Sequence, residues 1–212
     1  MRSRWGVPSK DGDRSVPDTT PARPAASAVP DDLRELADTV AEEGGHFLST
    51  VTEVAAGANP EVAIPLLLLA VSDVLGAGAR LGAMEDVVPV ERFEPDIGPD
   101  TDLDPLRAAL ENLLDGIDSY LEIADPLLGG DPVTSTLSSD LVLVAGALAQ
   151  GLRHHEEGQV IEALWWWQYS YLSNWGERAS SALRVLQTVL AHLRLDVDDD
   201  VAAEAEFQAL HP

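Results

Sequence analysis

The segment Trp165-Trp166-Trp167-Gln168-Tyr169-Ser170-Tyr171-Leu172-Ser173-Asn174-Trp175 holds four of the five tryptophans and two of the three tyrosines of the chain. Successive residues of an α-helix point about 100° apart, so three adjacent tryptophans cannot all face one neighbour. Each large aromatic ring buries roughly 150–250 Å², which makes an exposed face of them costly. The segment therefore requires a central helix packed on more than one side. Apolar spacing extends that helix from Val160 to Leu195, roughly 50 Å at 1.5 Å per residue. Gly176 marks either a bend or a close approach of a neighbouring backbone. Most of the rings are expected to be core. The face with Trp167, Tyr171 and Asn174 is the candidate lining of a groove or an interface.

The rest of the chain reads as helix and loop. Residues 1–29, rich in Pro, Ser, Thr, Ala and charge, predict a disordered arm. Three- and four-residue apolar spacing predicts a first helix over 30–56, with a kink at Gly44-Gly45, and a second over 59–81. Residues 82–102 are Pro- and Asp-rich and predict a long loop. A third helix opens at Asp104-Pro105 and carries its pattern through Leu121, ending before Asp125-Pro126. A fourth begins at Thr136 or Ser138 and runs to His155. Residues 196–212 form an acidic tail with the pattern of a short helix. With no strand alternation and no internal repeat, the expected fold is an all-α, single-domain bundle of about five helices over 30–195.

Charge narrows the partners. The chain has 13 basic and 37 acidic residues, net −24. Residues 1–29 hold 5 basic and 3 acidic ones, so the remainder carries 8 − 34 = −26. Such a surface repels phosphate backbones and anionic membranes, and it favours a protein with a basic patch. Cysteine is absent, which excludes disulfides and thiolate metal sites. The longest apolar run, Val62–Val71, is too short to span a bilayer, and no apolar stretch follows Arg2 and Arg4 as a signal peptide needs. A cytoplasmic location is expected.

Motifs that carry chemistry are weak. Asp100, Asp102 and Asp104 with Glu111 match the liganding spacing of an EF-hand loop, but Pro105 stands where that loop needs glycine. His154, His155 and Glu156 form a second weak metal candidate, since adjacent helical histidines point apart. No catalytic motif and no cofactor signature is present. The candidate pocket or interface residues are Asp140, Trp167, Tyr171, Asn174, Trp175 and Arg178. The first expectation is a non-catalytic acidic helical protein acting through protein–protein interaction. The alternative is a bundle, enzymatic or not, that binds a small molecule or metal between the aromatic helix and the fourth helix. There Arg178 would hold an anion, and Arg178→Ala would abolish binding while leaving the fold intact.

Tyr120, Asp125-Pro126, Ser135-Thr-Leu-Ser-Ser-Asp140-Leu141, the aromatic run, Asn174-Trp175-Gly176-Glu-Arg178-Ala179 and Ala182-Leu183 together resemble an uncharacterised, mainly actinobacterial family catalogued as a domain of unknown function. The resemblance implies a helical fold and no activity. The family pattern has histidines on either side of Trp-Gly, where this chain has Asn174 and Arg178, so any site built on them is altered here.

Overall fold

Spacing of apolar side chains produces α1 (Asp31–Ala55), with Ala37, Val40, Phe47, Val51 and Val54 inward and Asp31 and Asp32 in the first turn, where carboxylates complement the helix dipole. The computed structural model describes residues 29–57, 60–89, 98–99, 101–123 and 127–195. The arm expected over 1–29, apart from Val29, the acidic tail 196–212, Asp100 and Asp125-Pro126 lie outside these residues. α1 runs through Gly44 and Gly45; Gly44 is buried and faces Leu148 and Leu152.

After a 3₁₀ turn at Pro60–Val62 comes α2 (Ala63–Ala83). Among the described residues it is the helix long and apolar enough to cross a membrane. Its Ile64, Leu67, Val71, Val74 and Leu81 are packed inside the bundle, against α1 on one side and the C-terminal helix on the other.

α3 (Asp104–Leu113) stops well before Leu121, through which its apolar pattern was expected to run. Gly116, at φ +84°, turns the chain. Then β1 (Ser119–Glu122) pairs antiparallel with β2 (Val133–Thr136), in the register Ser119–Thr136, Tyr120–Ser135, Leu121–Thr134 and Glu122–Val133. This hairpin corrects the expectation of no strands. Four residues are too few for alternation to stand out in sequence. The fold nevertheless remains an all-α bundle with one small hairpin on its flank.

α4 (Leu137–Glu156) leaves β2 without a loop, and the Thr136 hydroxyl caps it by accepting from the Ser139 N–H at 3.3 Å. Gly158 (φ +75°) then turns into α5 (Val160–Ser170), a π-helical turn (Tyr171–Trp175) and α6 (Gly176–Leu195), one continuous rod over 160–195. The Gly176 N–H bonds the Tyr171 carbonyl five residues back, the signature of a π-turn. That turn brings the Tyr171 ring against Gly176, so a Cβ there would collide with it.

α4 and α5 pack closely: the Trp166 and Trp167 indole N–H groups donate to the carbonyls of Ala147 and Leu148 at 2.9 and 3.2 Å. Trp167 passes over Gly151, where any Cβ would overlap the indole.

Candidate functional site

Residues two apart on a strand share a face, so Tyr120 and Glu122 of β1 point the same way. The face they share looks onto the first turn of α4 and onto α6. Tyr120 donates its hydroxyl to Asp140 Oδ2 and stands 3.4 Å from Glu122 Oε2. Arg178 of α6 donates through Nη1 to Glu122 Oε1, with Ser135 Oγ at 3.4 Å and Asp140 Oδ1 at 3.7 Å. Ser135 also donates to Glu122 Oε1. Below this network Asp118 accepts from both the N–H and the hydroxyl of Ser138 at 2.8 Å, which pins the hairpin to α4. Asp140 is 3% exposed and Glu122 5%; a single half-buried guanidinium faces the two carboxylates.

The two carboxyls are driven in opposite directions. Burial pushes the Asp140 carboxyl up to about 6; hydrogen bonding from Tyr120 and the charge of Arg178 only partly oppose this, and Glu122 and Asp118 add to it. Burial also acts to raise Glu122, but hydrogen bonds from Ser135, Ser181 and Arg178 outweigh it and hold that carboxyl below its ordinary value. The Tyr120 phenol is raised by burial and by its bond to Asp140. Burial alone would lower Arg178; its bond to Glu122 and the surrounding carboxylates raise it instead. Glu122 is thus the fixed anion and Asp140 the titrating one.

The sign of the stability effect follows. With its ordinary value near 3.8 raised to about 6, Asp140 binds a proton in the folded protein that the unfolded chain has released. Its contribution to stability is full below about pH 4 and is lost as pH rises to about 6. Glu122 works oppositely, contributing above its ordinary range and losing that contribution in acid. Urea unfolding of wild type should therefore show stability falling from about pH 4.5 to 6.5, and Asp140→Asn should flatten that slope. An unchanged slope in Asp140→Asn would assign the titration to another group.

Above the network opens a cleft of about 840 Å³ between α3, β2, the start of α4 and the π-turn–α6 junction. Arg107 of α3 and Arg178 both line it, with Asp140, Asn174 and the hydroxyls of Ser135 and Ser139. Arg107 donates to Ser139 Oγ at 3.3 Å. Asp102 and Asp104 stand at the rim, and Asp102 Oδ1 accepts from the Asp104 N–H at 3.1 Å.

Of the six candidate residues, Asp140, Asn174 and Arg178 meet at this cleft, whereas Trp167 and Trp175 are fully buried in the bundle core. Tyr171 packs edge-on against Trp175, ring centroids 4.8 Å apart, over Gly78 and Gly82 of α2. The metal candidates separate. Buried His154 bonds Gln159 Oε1 at 2.8 Å, and His155 reaches Asp38 of α1 at 2.8 Å. Glu156 is exposed at the end of α4. Among the described residues no three of His, Cys, Asp and Glu are grouped to hold a metal ion.

Arg107, Asp118 and Glu122 were absent from the sequence-derived candidates. Tyr120-x-Glu122 on one strand face, following Asp115-Gly116, was the available signal, and it was hidden inside an apparent helix. Tyr120 and Asp140, which carry the family resemblance, and Asn174 and Arg178, which stand where the pattern has histidines, converge on this one corner.

Fold and site together define a helical bundle with a hairpin-bounded, arginine-containing cleft on its flank. Residues 31–192 match the family model of a domain of unknown function, DUF5063, and the chain belongs to that family. Among solved structures it is similar to protein BF1032 from Bacteroides fragilis, at 13% identity and TM-score 0.57, over 72% of this chain and 90% of that one. That likeness concerns the fold alone. A search of curated proteins gave no match.

Proposed function

We propose that this chain is a small-molecule-binding domain whose cleft receives an oxyanion, carboxylate or phosphate, at Arg107 and Arg178. The observation that carries this reading is the placement of Arg178. Its guanidinium is anchored from below by Glu122 and still borders an open cleft with Arg107, Asn174 and several hydroxyls. An arginine already oriented by a buried carboxylate spends little further entropy on a planar oxyanion. The −24 charge repels a plain anion at long range. The ligand that fits best also carries a cationic or donor group for Asp102 and Asp104.

Affinity should rise as pH falls from about 7.5 to 5.5, because Asp140 gains a proton near pH 6 and leaves more of the Arg178 charge to the ligand. Native mass spectrometry of the chain purified gently from its own cells tests the reading. A reproducible mass excess, lost on denaturation and absent from Arg107→Ala, is expected; a bare mass from both proteins contradicts it. Arg107 suits this purpose because its side chain bonds a partly exposed serine and not a buried charge.

A second reading, binding to a protein with a basic patch, is favoured by the net charge. The outer hairpin region adds to it, with Leu121 65%, Leu127 95% and Leu128 86% exposed.

A further inference from the structure

α5 carries a second recognition surface that shares no lining residue with the cleft. Ile161, Trp165 and Tyr169 follow at four-residue intervals and form one stripe along the helix. The Trp165 and Tyr169 rings are stacked, centroids 5.6 Å apart and planes 10° from parallel. Trp165 covers one face of the Tyr169 ring, so the 56% exposure of Tyr169 belongs to its other face and its edge. Opposite the stripe runs the non-helical segment 85–89, which buried Gln168 holds in place. The Val87 N–H donates to Gln168 Oε1 at 2.8 Å, and Gln168 Nε2 donates to the carbonyls of Leu81 and Glu85 at 2.9 and 3.2 Å.

Between stripe and segment lie two adjoining hollows. One, about 390 Å³, is bordered by Pro30, Leu33 and Ile161; the other, about 500 Å³, by Trp165, Tyr169 and Leu172. Asp86, Val87 and Val88 line both, so the hollows make one groove. Its apolar walls stand open, with Val88 76% and Leu172 62% exposed. Among the described residues that line it, the charged ones are Asp32, Glu85 and Asp86, and none is basic.

We propose that this groove docks an extended, arginine-bearing segment of a partner protein, with the guanidinium flat on the open face of Tyr169 and its N–H groups toward Asp86. The inference deepens the second reading above, a protein partner with a basic patch, and rests on it. Charge selects the occupant: three carboxylates and no cation border an apolar groove, in a chain of net charge −24. The rings select arginine, whose planar, weakly hydrated guanidinium stacks on an aromatic face and still offers a row of donors to a carboxylate. Shape selects a peptide over a small cation, which a closed aromatic cage would hold. The stripe from Ile161 to Leu172 spans roughly 16 Å as helix, the length of about five extended residues. Trp165 and Tyr169 lie roughly 6–12 Å beyond Ile161 along the axis, which sets an apolar residue about two to four positions from the arginine. That residue occupies the hollow between Leu33 and Ile161. Because Gln168 already fixes the wall opposite, docking orders little of the groove itself.

A random heptapeptide library displayed on phage, selected on the full chain and counter-selected on Tyr169→Ala, tests the proposal. Enriched sequences should hold an arginine with an apolar residue about two to four positions away. The best of them, synthesised, should give saturable NMR shifts at the amides of Val87, Val88, Tyr169 and Leu172. Its Kd should rise about tenfold in Tyr169→Ala and when citrulline replaces the arginine. Asp86→Asn should weaken it severalfold, and Arg107→Ala should leave it unchanged. Tyr169 and Asp86 are exposed, so their substitution leaves the core whole. Arginine peptides that shift the hairpin residues Leu127 and Leu128 instead would overturn the groove and leave a basic partner standing. Enrichment of neutral or acidic sequences, or of none, overturns both. Tetramethylammonium saturating the same amides while no peptide is enriched overturns the proposal in favour of a small cation.

Discussion

Trp175→Ala is expected to lower the free energy of unfolding by about 3–5 kcal/mol, read from urea unfolding by circular dichroism. Trp175 is completely buried at the inner side of the π-turn, with Tyr171 edge-on to it and Gly78 of α2 directly beneath. Gly78 has no side chain that could move into the space the ring leaves. Gly78→Ala should also destabilise, by about 1–3 kcal/mol or more, since the added Cβ would drive into both rings. The Trp175 indole N–H has no hydrogen-bond partner among the described residues. Trp175→Phe should therefore cost far less than Trp175→Ala: it loses part of the ring but also removes a buried, unsatisfied donor. If Phe and Ala cost the same, the ring does not fill its site as described.

Arg178→Ala has the second large expected effect, about 3 kcal/mol of stability at pH 7.5 together with loss of oxyanion binding. From sequence alone this substitution was expected to spare the fold. The structure corrects that, because Arg178 is the cation for two carboxylates that are almost wholly buried. Removing it leaves Glu122 and Asp140 with hydroxyl partners only. The penalty should shrink at about pH 5, where Asp140 is protonated and one of the two stranded charges is gone. A penalty that is small and independent of pH would mean the network carries no net electrostatic weight. Binding tests accordingly belong with Arg107→Ala, whose effect on stability should be slight.

The parts of this fold that were legible in sequence were the long periodic ones. α1, α4 and the 160–195 rod begin and end within a residue or two of their expected limits, because many apolar positions vote together along them. The hairpin was not legible. Ser119–Glu122 continues the leucine and isoleucine spacing of α3, and only the Asp115-Gly116 turn separates the two. The apparent helix concealed the shared strand face of Tyr120 and Glu122, two of the five residues of the polar network.

The aromatic face was misread for a different reason. At 100° per residue Trp167, Tyr171 and Asn174 share a side, but the π-turn inserts one residue into the winding. Trp167 stays in the core, Asn174 emerges at the cleft, and Trp175 turns inward. A π-turn has no sequence signature that hydrophobic periodicity can detect. Arg178 was identifiable as a lone arginine beside the aromatic run, whereas its partners Glu122 and Asp140 come from elements distant in sequence.

The most direct test is an NMR titration of the full chain with inorganic phosphate, succinate and small zwitterionic amino acids, following the side-chain Nε–H signals of Arg107 and Arg178. The account predicts saturable shifts of both arginines, together with the amides of Thr134–Thr136 and Asn174, for at least one of these probes, strengthening as pH falls toward 6. Shifts confined to other parts of the surface, or none at millimolar concentration, would contradict it.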